Sequence, residues 1–217
     1  YYSIPHDSLL LGIRDVVDNY GAVRFQNAAG MSVENFLELL LAYLESTYTE
    51  WEGGIFIQEK GICIGSCIAP ILSDFFLAMH DRELNNRLNG TAVAAVSRFV
   101  DDYLVLLTCD REAFSREVSK VRGLFSDVLA PLEVTHEVPV EDTIRFLDLS
   151  LQFSPCSVCW SFEPRANKPL LPYSSAHSKL VKKGIVMSSF RSALTNSCRH
   201  QTARSFSNQV ERLTACG

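Results

Sequence analysis

The sequence predicts an α+β fold, an antiparallel sheet with helices on one face followed by a mostly helical basic segment, and three observations predict it. Apolar residues recur at three-and-four spacing from Val33 to Leu44 and again from Ile71 to Met79, which is the pattern of helices with one buried face. Two runs rich in Val, Leu and aromatic residues, 93–100 and 103–107, are separated only by Asp101–Asp102, as in a hairpin with carboxylates at its tip. After Trp160 the chain turns proline-rich and then basic. The order helix, hairpin, helix, strands is that of a split βαβ unit.

Each element has a local reason. Ser32 suits an N-cap, and Val33, Phe36, Leu37, Leu40, Leu41 and Leu44 follow on one face. Gly53–Gly54 ends that pattern, and Ile55–Phe56–Ile57 reads as a short strand entering a glycine-bounded loop, residues 60–66. A second helix is expected from about Ala69, with Pro70 in its first turn, where a missing N–H costs nothing. Beyond the hairpin, Asp110 is read as the cap of a helix carrying Phe114, Val118, Val121, Phe125 and Val128 and closed by Pro131. Strands are expected over 132–137, 143–153 and 157–162, and helices around Met187–Cys198 and Phe206–Leu213. The domain reading is 1–162 for the sheet-bearing body and 163–217 for the basic helical segment.

The chain has 217 residues, 47% hydrophobic and 21% charged, enough apolar material for a core and too little charge for disorder. No run approaches the length of a membrane span, and nothing at the start resembles a secretion signal, so an intracellular protein without membrane contact is expected. The opening residues read as a fragment boundary. Net charge is -5, but its distribution matters more: through residue 159 there are 11 Lys+Arg against 23 Asp+Glu, and from Trp160 onward 9 against 2. An acidic body suits a divalent metal, and a basic tail suits a phosphate backbone. The odd count of 7 Cys favours reduced thiols. Cys156 and Cys159 form a C-x-x-C whose only candidate second ligand pair is Cys198 with His200, at an unusual spacing, and free thiols are the preferred reading.

Side-by-side carboxylates repel, and each raises the other's pKa unless a cation joins them. Asp101 and Asp102 are therefore candidate ligands of Mg²⁺ or Mn²⁺, hard ions suited to oxygen donors at a rigid hairpin tip. Gly61 and Gly65 would allow close approach of backbone to a base pair, and Ser66 with the following helix N-terminus offers donors to template or phosphate.

Arg98–Phe99–Val100–Asp101–Asp102–Tyr103 resembles the aromatic-x-Asp-Asp core of reverse transcriptases, with Phe99 where Tyr is commoner. Residues 60–70, Lys-Gly-Ile-Cys-Ile-Gly-Ser-Cys-Ile-Ala-Pro, resemble their Gly-x-x-x-Gly-Ser-x-x-Ala-Pro motif, and Arg145–Phe146–Leu147–Asp148–Leu149 is similar to the Phe-Leu-Asp segment at the end of the palm in one branch. Residues 168–179, with Lys182, Lys183 and the segment Arg191–Leu194, resemble the thumb side of Penelope-like retroelement enzymes, with Lys-Pro-Leu in place of Lys-Pro-Thr.

The resemblance implies a polymerase palm over 1–162, a thumb over 163–217, and Mg²⁺-dependent, RNA-directed DNA synthesis from deoxynucleoside triphosphates on an RNA template and DNA primer. Tyr1 would be the sugar gate, Gly61, Gly65, Ser66 and Phe99 would meet template and nucleotide, and Lys179, Lys182 and Lys183 would hold the nucleic-acid backbone. On that alignment the first catalytic aspartate precedes Tyr1, so these 217 residues alone are expected to be inactive or nearly so. The alternative is a truncated remnant that only binds nucleic acid; a nucleotide cyclase on the same fold would leave the basic tail without a purpose.

Overall fold

The computed structural model describes residues 3–155, 157–164 and 170–217. It is a mixed α+β chain whose strands form small antiparallel sheets. The chain divides into two compact units, Tyr1–Thr135 and His136–Gly217.

The first unit contains α1 (His6–Tyr20), α2 (Ala22–Ala29), α3 (Val33–Glu45), the hairpin of β1 (Tyr48–Trp51) and β2 (Gly54–Ile57), α4 (Ala69–Leu88), the hairpin of β3 (Val93–Phe99) and β4 (Asp102–Leu107), and α5 (Phe114–Leu129). Ser32 caps α3 as expected, its hydroxyl accepting from Asn35 N–H at 3.1 Å. Pro70 sits in the first turn of α4, as its sequence position required. Helix α4 organises the core: Leu72, Phe76, Leu77 and Leu84 are buried together with Leu9, Ile13 and Val17 of α1, Leu37, Leu40 and Leu44 of α3, and Val121, Phe125 and Val128 of α5.

The β3–β4 hairpin lies on this core by one face. Val96 pairs with Val105 and Arg98 with Tyr103, and Val93, Val96, Tyr103, Val105 and Leu107 pack against the core. Strand residues alternate between faces, so Asp102, Leu104 and Leu106, together with Phe99 opposite Asp102, belong to the other face. The mixed α+β composition and antiparallel pairing match the expectation, but the strands form separate small sheets, here one of two strands.

The second unit pairs β5 (Thr143–Phe146), β6 (Leu149–Ser154) and β7 (Ser157–Phe162) in the order β5-β6-β7 and adds α6 (Lys179–Thr195) and α7 (Thr202–Thr214). Packing thus divides the chain upstream of the 162/163 boundary. The reason is hydrogen bonding: Phe162 N–H donates to Ser197 Oγ at 3.0 Å and Ser205 Oγ at 3.2 Å, and Cys198 N–H donates to Trp160 O at 2.9 Å, tying β7 to the α6–α7 connection.

Several local expectations are corrected. Helices α1 and α2 and strand β1 were not anticipated. Asp110 does not cap α5; its carbonyl accepts from Ala113 N–H in a preceding turn, and the helix starts at Phe114 without a side-chain cap. Residues 132–137 form no strand, since Leu132 and Val134 find burial against the core without a ladder partner. The run 143–153 is two strands, folded back at Leu147–Asp148 so that Phe146 pairs with Leu149. No helix among the described residues is long and apolar enough to cross a membrane.

Candidate functional site

The tip of the β3–β4 hairpin is a two-residue turn, Val100–Asp101, closed by pairing of Phe99 with Asp102. Asp101 is exposed and Asp102 half-buried. Val100 has φ 57°, a conformation that places a β-branched side chain against its own backbone. Such strain persists only where surrounding structure enforces it. Val100→Gly, which removes the offending Cβ, is expected to raise stability by about 1 kcal/mol after the added chain entropy of Gly is deducted. Thermal denaturation checks this; an unchanged or lower midpoint would mean the turn carries no such strain.

The enforcement comes from Arg98. Its guanidinium meets Asp81 Oδ2 through Nε at 2.9 Å and NH2 at 2.8 Å, meets Asp74 Oδ1 at 2.9 Å, and donates to the Val100 carbonyl at 2.8 Å. Asp74 and Asp81 are two turns apart on α4 and therefore share a face. Desolvation would lower the Arg98 pKa, but hydrogen bonds to Asp81 and then Asp74 outweigh it and hold the pKa above its ordinary value. One side chain thus fastens strand β3, the turn and the helix together.

Tyr103 completes the clamp, donating its hydroxyl to Asp81 Oδ1 at 2.8 Å and meeting Phe125 edge-on at 5.2 Å. Burial, and then the bond to Asp81, push the Tyr103 pKa well above its ordinary 10.0. A raised acid pKa favours the protonated folded state, so this contribution is complete below about pH 10 and is lost as pH rises toward the folded pKa. Tyr103→Phe is expected to cost about 1 kcal/mol at neutral pH and to flatten the alkaline slope of stability above pH 10, measurable by urea unfolding across that range.

Beside this clamp, Val100 and the first half of α4 (Pro70, Ile71, Asp74, Phe75 and Ala78) line a cleft of about 480 Å³. The hairpin tip and the helix that follows the glycine-bounded loop therefore flank one space. Gly61, Gly65 and Ser66 are not among its lining residues.

The loop residues divide by role. Gly65, at φ 98°, is exposed with open space where a Cβ would stand, which suits a backbone available to a partner. Gly61, at φ 84°, is buried: its N–H donates to Ile4 O at 2.8 Å and its carbonyl lies 2.7 Å from His6 Nε2. Gly61 therefore shapes the loop from inside. Ser66 Oγ accepts from Tyr43 O–H at 2.5 Å and from Ile68 N–H at 3.3 Å, which binds α3 to the start of α4. Phe99 is 57% exposed on the same face as Asp102. Tyr1 lies outside the described residues.

In the second unit, Lys179 and Lys183 are exposed on α6. Lys182 is used internally: its Nζ donates to Tyr173 O at 2.5 Å and Ser175 O at 2.8 Å and stands 5.0 Å from the Tyr173 ring. Among the described residues, the one group of three potential metal ligands is Cys159, Cys198 and His200. Among the described residues, Asp101 and Asp102 belong to no such group of three. Within the cysteine cluster, the hydrogen bond to Cys198 and then desolvation raise the Cys159 thiol pKa. Burial alone would raise that of Cys198, but hydrogen bonds from the backbone and from Cys159 bring it below its ordinary value. The described cysteines are not joined in disulfides.

Arg98, Asp74, Asp81 and Tyr43 were missed by sequence reasoning. The seven-residue spacing of Asp74 and Asp81, which puts both on one face of the predicted helix, was the available signal. No protein-family model, curated protein or solved structure matches the chain.

Proposed function

We propose that the chain is the palm and thumb part of a reverse transcriptase that uses Asp101 and Asp102 to bind Mg²⁺ or Mn²⁺ during RNA-directed DNA synthesis. The observation that carries the reading is the pair of adjacent carboxylates on a tight hairpin, one face of which is clamped to α4 by Arg98 and Tyr103. Hard cations in phosphoryl transfer need oxygen ligands held rigidly, because misplacing the metal misplaces both the attacking and the leaving oxygen. Exposed Asp101 and half-buried Asp102 fit that donor set. The ions, when bound, would lower the pKa of the primer hydroxyl and neutralise the triphosphate. The chain's own part is to supply carboxylates at a fixed point, with Phe99 beside them and Gly65 offering close backbone approach.

The resemblance of residues 60–70 and 98–103 to two motifs of one family, in the right order, supports the same reading. Lys179 and Lys183 on α6 suit contact with phosphates, which positions nucleic acid without reading sequence. Lys182, already bonded within the chain, is left out of that role.

Two measurements test the proposal. Mn²⁺ titrated into the 217-residue chain should broaden NMR signals around Asp101 and Asp102 first, weakly, since two carboxylates are an incomplete set. Primer extension with deoxynucleotides should then appear when the residues encoded upstream of Tyr1 are attached, if an Asp stands five positions before it. Should that longer polypeptide contain no such Asp, or bind primer-template without extending it, the passive nucleic-acid-binding remnant is the correct description.

A further inference from the structure

Two thiols of the second unit, Cys159 and Cys198, face each other and play no part in the polymerase reading. Cys159 lies on β7, and Cys198 lies in the connection between α6 and α7. Their sulfurs and a ring nitrogen of His200 all fall within 4.8 Å of one another. The main chain fixes that approach from both sides. Cys198 N–H donates to the carbonyl of Trp160, the neighbour of Cys159, at 2.9 Å, and Phe162 N–H donates to the hydroxyl of Ser197, the neighbour of Cys198, at 3.0 Å. A disulfide asks for two Cα atoms about 4.4–6.8 Å apart, and backbones already joined by a hydrogen bond next to each cysteine bring the pair into that reach.

The surroundings supply the other parts of a thiol oxidation. His200 Nδ1 stands 3.7 Å from Cys159 Sγ and can take up its proton. Cys159 also lines a cavity of about 220 Å³ together with Ser150, Gln152, Ser161, Gln201 and Arg204. Hydroxyl, amide and guanidinium groups at that wall suit water and the similarly small hydrogen peroxide. Of the two sulfurs, Cys198 is the better nucleophile, since backbone hydrogen bonds favour its thiolate.

We propose that Cys159 and Cys198 are a redox-active dithiol that hydrogen peroxide closes to an intramolecular disulfide, with His200 as the proton acceptor. The Cys198 sulfur attacks one peroxide oxygen: the S–O bond forms, the O–O bond breaks, and the departing hydroxide leaves as water with the Cys198 thiol proton. Cys159 then passes its proton to His200 and attacks the sulfur of the Cys198 sulfenic acid. The S–S bond forms, the S–O bond breaks, and the second hydroxide leaves as water with the proton held by His200. Each sulfur loses one electron, and the peroxide is reduced to two waters.

The bridge would close a loop of about 40 residues and tie β7 to the α6–α7 connection. Buried apolar residues in this unit, among those described, are Leu151, Phe162, Ala193 and Cys198. So small a core gains much from a cross-link.

The test treats the reduced 217-residue chain, dialysed against a chelator, with one equivalent of hydrogen peroxide. Peptide mapping without reductant should find Cys159 joined to Cys198, two of the 7 thiols should be lost, and dithiothreitol should restore both. The oxidised chain should melt at least about 5 °C higher than the reduced one. Cys159→Ser should stop the reaction at a Cys198 sulfenic acid that dimedone traps, and His200→Ala should slow disulfide closure by about tenfold or more. Cys109→Ser should react like the parent. Should Cys159→Ser fail to fold, the peptide map of the unaltered chain decides the matter. Both thiols left reduced, either one joined first to a different cysteine, or chains linked to one another in place of the internal bridge would overturn the proposal. So would about one zinc per chain that survives the chelator and shields both sulfurs from peroxide. None of these results depends on whether the chain synthesises DNA.

Discussion

Asp101→Asn and Asp102→Asn, each made in a polypeptide that includes the residues upstream of Tyr1, are expected to reduce primer extension by about a thousandfold, equivalent to about 4 kcal/mol of barrier. Asn keeps the size of Asp and a carbonyl oxygen but removes the charge that draws a divalent cation to the tip. The hairpin should survive, because its clamp runs through Arg98 and Tyr103 on the opposite face. A circular dichroism spectrum and melting temperature close to those of the parent, with primer-template binding retained, would assign the loss to metal binding. Restoration of wild-type rates by excess Mn²⁺ would leave the carboxylate role intact and show only weakened affinity. Unchanged rates in Mg²⁺ for both variants would remove the basis of the polymerase reading.

Arg98→Ala should be the most damaging single change to the hairpin, at about 3 kcal/mol. The Arg98 side chain is 15% exposed, its partner Asp81 32% and its partner Asp74 70%. Those exposures decide which arm matters. The bond to solvent-exposed Asp74 is screened and should contribute only a few tenths of a kcal/mol, whereas the two-point bond to Asp81 is held where water competes less. Truncating Arg98 also strips a partner from half-buried Asp81 and a donor from the Val100 carbonyl. Double-mutant cycles by urea denaturation should give a coupling of about 1–2 kcal/mol for Arg98 with Asp81 and under about 0.5 for Arg98 with Asp74. Arg98→Lys should recover less than half of the loss, since an ammonium cannot reproduce the fork. Equal couplings for the two aspartates would contradict this division.

Much of the secondary structure was written locally. Ser32 ahead of a periodic apolar run, Pro70 at a helix start, and alternating Val and Leu on either side of Asp101–Asp102 each act within a few residues, so one sequence suffices to read them. The failures share a cause. Residues 143–153 alternate apolar residues with Arg145, Asp148, Ser150 and Gln152 and contain no Gly, Pro or Asn, so only Asp148 hints that Leu147 turns at φ 53°; the β5–β6 pairing imposes it. Asp110 stood where a cap should stand, yet a turn intervenes. Helix α1 carries a periodic stripe in Leu9, Ile13 and Val17 that was legible and passed over.

The candidate sites divide in the same way. The sequence by itself determined that two carboxylates would sit at a hairpin tip, that a glycine-bounded loop would lead into a helix, and that the tail would be basic, because turns, caps and charge are properties of neighbouring residues. Only the tertiary structure decided that Arg98 locks the tip to Asp74 and Asp81, that Gly61 is buried while Gly65 is open, that Lys182 is consumed by the Tyr173 and Ser175 carbonyls, and that Cys159 meets Cys198 and His200. Those pairings include residues 55 positions apart, His6 and Gly61. They exist because burying apolar faces of different helices and strands brings distant polar groups to fixed separations, a result that no local pattern encodes.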